Sequence, residues 1–460
     1  MPLLSVAAGI ALMLVLLLVV RLDAFFALLL TSFVVGLMNG MDPLAVLGSV
    51  TRGIGATMGS VVLVLVFGAM LGKLLEESGA AQAIIQRLSA AFGLRNIQYA
   101  MAATGLLVGL PMLYNAGFLV LIPLVYALTV TTRLPLVYLG LPLAAALSVT
   151  HGFLPPHPAP TFVAFAYGAD VNASLLFGLA AAIPAALVGG PVLARLLPHR
   201  QVEPPAGLYE RREIAPEALP GIAISILATL VPVVLMLLGA VVDIAAGTAA
   251  IDPFRGDFRA ALAAAVPDPA LRTVVLAAKF LGNATIALLL AVFFALWALG
   301  TRRGRTMDDL MRGLARAVGS IAMIVLIIAA GGAFSQVLRD GGVADYIRDR
   351  ALGLRFDPLL LSFGIAAALR LAVGSATVAS MTTAGVVAPL ALAGGVRPEL
   401  MVLATGAGSL MFSHFNDTGF WMFKEYFNLS VRETFATWSV MEIVVALVGL
   451  AAALLMRAVL

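Results

Sequence analysis

From Leu3 to Leu460 the chain is a near-unbroken succession of apolar runs, separated only by short polar breaks. About 17–25 apolar residues make a helix long enough to cross the hydrocarbon core of a bilayer, and so many such runs cannot be buried in one water-soluble core. Lipid is therefore the solvent, and the chain reads as a single all-α polytopic membrane domain. Composition agrees: 62% of residues are hydrophobic, 11% are charged and the mean hydropathy is +1.06, whereas soluble domains carry about 25% charged residues.

Several classes of protein drop out early. The first apolar run is too long for a secretory leader, has no basic segment before it, and is followed at once by a second run after Arg21-Leu22-Asp23, so it reads as a retained helix. With no cysteine, the chain has no disulfide, thiolate metal site or cysteine nucleophile. The net charge of +4 comes from arginines in short loops between apolar spans, a pattern of membrane orientation and not of nucleic-acid binding.

The spans of crossing length are Leu3 to Val20, Ala24 to Met38, Met58 to Leu75, Leu134 to Tyr167, Ala173 to Leu197, Gly221 to Val242, Thr273 to Leu299, Gly319 to Leu338, Pro398 to Phe423 and Thr434 to Val459. Two further segments, Ile97 to Val130 and Pro358 to Ala393, are interrupted at Gly109 to Asn115 and at Gly374 to Thr377. They read as re-entrant hairpins, since irregular backbone at membrane depth survives only where protein or a wet cavity satisfies it. Arg302, Arg303, Arg305, Arg312 and Arg316 after the seventh crossing, and Arg195, Arg200, Arg211 and Arg212 after the fifth, belong on the cytoplasmic side. Counting outward from them places both termini in the periplasm of a bacterial inner membrane.

The chain also resembles itself at one constant offset. Gly68 to Gly79 lies over Gly331 to Gly342 and, without a gap, Pro135 over Pro398, Leu147 over Leu410 and His151 over His414. The organisation expected is a first repeat over 1–197, a cytoplasmic linker over 198–220 and a second repeat over 221–460. Each repeat has five crossings and a hairpin, so an odd number of crossings turns the second copy upside down in the bilayer, the inverted-repeat plan of secondary transporters. Such folds bind substrate near the midplane, where hairpin tips and broken helices meet.

The breaks are where polar residues gather. Ser148 to Pro158 interrupts the fourth crossing with three prolines, and Ser413 to Phe420 occupies the matching place in the second half. Half-helix ends freed there favour a carboxylate. The candidate substrate-binding residues are Tyr114, Asn115, Ser148, Thr150, His151, Arg370, Gly374, Ser375, Thr377, His414 and Asn416. Asp417, His151 and His414 are the candidates for proton coupling, because an intramembrane ionisable group is functional by default. Arg370 has two candidate partners, the substrate carboxylate and Asp417. His157, among prolines, reads as structural, and Lys73 and Lys279 as snorkelling. No phosphate loop, zinc-protease motif, metal set or cofactor motif is present.

On Phe67 to Lys73, Ser148 to Pro158, Leu369 to Ala379, Gly419-Phe420-Trp421 and Phe423 to Leu429 the chain closely resembles the gluconate permeases, bacterial gluconate:proton symporters of the ion-transporter superfamily. The resemblance runs over essentially the whole chain. It implies uptake of gluconate, or of a related sugar acid or D-serine, with protons, by a scaffold and a mobile transport domain working by elevator-like alternating access. Two positions depart from the family pattern: Asn115 stands where a glutamate is expected at the first hairpin tip, and Thr418 where proline usually follows Asn-Asp. Without that glutamate, the expectation is that Asp417 carries the proton. The alternatives are a sodium-coupled or uncoupled anion carrier and, from another class, a channel or sensor. The sequence leaves oligomeric state open, a homodimer included.

Overall fold

The computed structural model describes residues 2–197, 214–248, 251, 256–343, 357–392 and 395–459. These residues form helices and connecting turns, with no strand among them. In the first half the helices are α1 (Pro2–Leu14), α2 (Ala24–Met38), α3 (Pro43–Ser78), α4 (Ala80–Phe92), α5 (Ile97–Gly109), α6 (Tyr114–Thr132), α7 (Leu136–Phe153), α8 (Pro158–Tyr167), α9 (Val171–Leu187) and α10 (Leu193–Leu196). The second half has α11 (Ile222–Ala245), α12 (Phe258–Ala265), α13 (Pro269–Gly282), α14 (Ala284–Ala295), α15 (Met307–Asp340), α16 (Pro358–Val373), α17 (Ala376–Leu392), α18 (Pro398–Leu410), α19 (Thr418–Tyr426), α20 (Val431–Thr434) and α21 (Val440–Val459). Among the described residues, eight helical stretches are long and apolar enough to cross a membrane.

The expected spans at Met58 to Leu75 and Gly319 to Leu338 are the apolar parts of two much longer helices, α3 with 36 residues and α15 with 34. At 1.5 Å per residue these run to roughly 50 Å, well beyond the ~30 Å hydrocarbon core. Their starts are set by caps: Asp42 accepts the Leu44 amide at 2.9 Å ahead of Pro43, and Thr306 accepts the Asp309 amide at 3.2 Å. The two helices pack along their length and run antiparallel, because the end of each meets the start of the other. Arg52 pairs with Asp340 at 2.8 Å, while Arg305 pairs with Glu77 at 2.6 Å, supported by Lys73 at 3.4 Å. Close approach at one end rests on Gly53, where a Cβ would lie 2.8 Å from the Ala333 α-carbon.

Two expected segments divide differently. Thr273 to Leu299 is not one continuous helix: α13 ends at Gly282, and Asn283 starts a new helix by accepting the Thr285 amide at 3.0 Å. The α13 end is fixed from outside, since Gly282 lies so close to Gly239 of α11 that a Cβ would sit 2.8 Å from its α-carbon. In the first hairpin, α6 alone has 19 residues, long enough by itself to cross. Arg195 holds Gln98 at 2.8 Å and stacks on Tyr99, whereas Arg200, Arg211 and Arg212 lie outside the described residues.

Candidate functional site

The second hairpin turns at Gly374, whose φ of +79° belongs to the left-handed region. A side chain there would strike the Asn416 backbone, with its Cβ only 2.6 Å from the carbonyl carbon. Glycine lets the hairpin tip touch the break between α18 and α19. Ser375 then caps α17, accepting the Val378 amide at 3.3 Å. From the break, the Asn416 side-chain amide donates to the carbonyls of Leu371 at 2.9 Å and Ala372 at 3.3 Å, and the His414 Nε2 lies 3.0 Å from the Leu371 carbonyl.

Arg370 and Asp417 lock this contact. The Arg370 guanidinium, 3% exposed, donates from Nη2 to Asp417 Oδ2 at 2.5 Å and from Nη1 to the Gly374 carbonyl. Asp417 also accepts the Ser413 hydroxyl and caps α19 through the Gly419 amide at 3.0 Å. The Trp438 indole donates to Ser413 at 2.7 Å. Asp417 is thus held by a cation, a hydroxyl and a helix N-terminus at once.

The first half repeats the device with other residues. His157 Nε2 lies 2.7 Å from the carbonyl of Gly109, at the end of α5, as Asn416 holds the carbonyls at the end of α16. Thr150 faces Gly109, with its methyl 3.2 Å from where a glycine Cβ would be, and its hydroxyl bonds the Leu147 carbonyl at 2.8 Å. Thr150 is absorbed into helix packing. His151 meets His157 edge-on with ring centres 5.5 Å apart. Beside the tip, a cleft lined by Gly68, Pro111, His157 and Ile321 separates it from α3 and α15.

The two halves meet where α7 crosses α18, at Gly152, where a Cβ would lie 2.7 Å from the Leu410 side chain. Tyr114, buried at the start of α6, stacks on Phe118 and meets Trp438 edge-on at 5.7 Å. His151 lies within electrostatic reach of Arg370 and Asp417. Around this junction Tyr114 Oη, His151 Nδ1, Arg370 Nε, His414 Nδ1 and Asn416 Oδ1 are buried and bond no protein group. Buried polar atoms are normally satisfied, so a cluster of unsatisfied ones beside a guanidinium is suited to a small polar anion.

Not every expected residue joins. Asn115 follows buried Tyr114 around the helix and is exposed, whereas Thr377 is partly buried, as His151, Ser375, His414 and Asn416 are. Ser148 is buried but committed, donating to Glu442 Oε1 at 2.6 Å. Glu442, 1% exposed in the last crossing, did not emerge from repeat matching because Leu179 lies opposite it in the other half. A lone carboxylate within Trp438 to Val448 was the available signal. Among the described residues, no group of three or more His, Asp or Glu side chains is placed to hold a metal ion.

Long apolar helices, paired broken helices and a buried polar junction between them define a multi-pass membrane transporter. The chain belongs to the GntP permease family, whose model, described as GntP family permease, matches residues 1–459. These are membrane permeases and not enzymes. Over 460 residues the chain is 46% identical to the Gnt-II system L-idonate transporter of Escherichia coli (strain K12), covering 100% of both. It is 44% identical over 457 residues to a high-affinity gluconate transporter of the same strain, and 39% identical over 464 residues to the gluconate permease of Bacillus subtilis (strain 168), with 99% of each chain covered. Two solved structures share the fold at 18% identity. The YdaH transporter of Alcanivorax borkumensis has a TM-score of 0.60, covering 88% of this chain and 87% of that one. MtrF of Neisseria gonorrhoeae, described as illuminating a class of antimetabolite efflux pumps, has 0.62, covering 89% and 84%.

Proposed function

We propose that the protein imports gluconate, or a closely related sugar acid, by proton symport across the bacterial inner membrane. The observation that carries this reading is the Arg370–Asp417 pair at 2.5 Å, set among unsatisfied polar atoms where the two halves meet. Names of relatives over the full chain, one for L-idonate and others for gluconate, support the substrate class.

The pair supplies a coupling step. A sugar-acid carboxylate and Asp417 compete for one guanidinium, and a proton placed on Asp417 from outside releases Arg370 to the substrate. The hydroxyls of the sugar acid then meet Tyr114, His151 and Asn416. On the cytoplasmic side the proton leaves, Asp417 reclaims Arg370, and the anion is expelled. The expected assignment of Asp417 to coupling is kept, with its function as a competitor for Arg370.

The reading includes two inverted halves, and three features support it. At the sequence offset of the repeat, α3 corresponds to α15, α5 to α16, α6 to α17 and α7 to α18. Glu77 and Asp340, equivalent in the repeat, each clamp the start of the other half's long helix. His157 and Asn416 each hold the end of their own hairpin's first helix. Each hairpin and its broken helix moves as one body against the α3–α15 frame, in elevator-like alternating access, with both termini outside. Uptake of labelled gluconate into proteoliposomes under an imposed pH gradient tests the reading, since a channel or sensor accumulates nothing against its gradient.

A further inference from the structure

Glu442 is a buried carboxylate near the junction that the exchange on Arg370 does not use. Its position is unlike that of Asp417. One oxygen accepts the Ser148 hydroxyl from α7 at 2.6 Å; the other, Oε2, is buried and bonds no protein group. No cation pairs with it among the described residues, and Arg370, the positive charge within its electrostatic reach, is already engaged by Asp417. The other titratable groups facing it are Asp417 and Tyr114, while α7 brings His151 one turn beyond Ser148.

Charge at the junction then sets a requirement. Arg370 contributes one positive charge, whereas Asp417, Glu442 and a sugar-acid carboxylate contribute one negative charge each. Tyr114 and His151, as neutral groups, change nothing. A buried cluster with two uncompensated charges is costly by several kcal/mol, and two protons neutralise it. One goes to Asp417 in the exchange already described, which leaves Glu442 Oε2 for the other.

Resting on the symport reading, we infer that Glu442 is a second proton-carrying group, so that two protons enter with each sugar-acid anion and each cycle moves one net positive charge inward. The proton forms an O–H bond at Glu442 when the site faces outward and leaves to the cytoplasm when it faces inward. No other bond is made or broken. Ser148 is the positioning residue, holding the other oxygen.

The test compares proteoliposomes at one fixed pH gradient with the membrane potential clamped at zero or at 100 mV inside negative. One net charge is worth about 2.3 kcal/mol per 100 mV, or roughly 50-fold in the accumulation ratio. Wild type is expected to gain on that order, and Glu442→Gln to keep uptake driven by the pH gradient while losing the gain from potential. Glu442→Asp, which retains a carboxyl, restores part of it. Should Glu442→Gln fail to insert, the reversal potential of wild-type current decides alone: a value for two protons per gluconate supports the inference, and electroneutral uptake overturns it while leaving symport intact. Undiminished potential dependence in Glu442→Gln overturns it too, as does loss of that dependence in His151→Gln alone, which moves the second proton to the imidazole. If wild type accumulates nothing on a pH gradient at either potential, the symport reading itself is overturned.

Discussion

Arg370 and Asp417 lie 47 residues apart in sequence and 2.5 Å apart in space, one just before a hairpin tip and the other at the end of a helix break. The guanidinium reaches Asp417 with one nitrogen and the Gly374 carbonyl with another, a two-directional grip that a lysine ammonium on its flexible stem does not reproduce. Arg370→Lys is therefore expected to abolish gluconate uptake nearly as completely as Arg370→Ala. Removing one partner of a buried pair costs about 3–5 kcal/mol, so both variants should also melt earlier in detergent. Uptake by Arg370→Lys near the wild-type rate would show that only the charge is needed.

Asp417→Asn removes the competitor and the proton carrier together while keeping a side chain of similar shape. Accumulation driven by a pH gradient should fall to what the proton on Glu442 alone can drive, and exchange of labelled for unlabelled gluconate should persist, because exchange needs no net proton movement. Undiminished accumulation would transfer coupling to another group.

Much of this arrangement is legible in the sequence because the two halves match at one offset. The Pro-rich break after His151, the break after Ser413 and the tip at Gly374 carry strong local signals: proline removes donors, and the glycine admits a left-handed turn against a neighbouring backbone. What escapes is set by tertiary contact. Nothing apolar or charged distinguishes Gly282-Asn283 from a continuing helix; the close approach of Gly239 and the capping side chain of Asn283 end it there. The polar first turn of α15, and Ser49, Thr51 and Arg52 early in α3, hide the true starts of those helices from a hydropathy reading, although Asp42-Pro43 is a sound cap signal. Asn115 shares a segment with Tyr114 but is exposed where Tyr114 is buried, a distinction that depends on helix phase after the break. Glu442 has no counterpart in the other half, so the repeat that reveals the other residues conceals it.

The absence of cysteine makes orientation directly measurable. Leu44 and Met307 are equivalent in the repeat, both exposed at the first turn of their long helices, 77% and 51% respectively. In an inverted arrangement, an impermeant maleimide labels Leu44→Cys in intact cells and reaches Met307→Cys only after permeabilisation. Labelling of both from the same side would rule out inversion.

Gly374→Ala probes the contact between tip and break. A non-glycine residue held in left-handed backbone costs about 1–2 kcal/mol, and the added methyl meets the Asn416 backbone, which cannot move without releasing Asp417. The expected result is folded, thermally weakened protein with uptake reduced at least about 100-fold, equivalent to ~3 kcal/mol. Near-normal transport in this variant would mean that the tip need not touch the break.

The most direct measurement is accumulation of labelled gluconate by the purified protein in sodium-free proteoliposomes, acidic outside and near neutral inside, with a protonophore control. Proton symport requires the internal concentration to rise above the external one and to collapse when the protonophore is added. Simple equilibration, or accumulation only when a sodium gradient replaces the pH gradient, would contradict it.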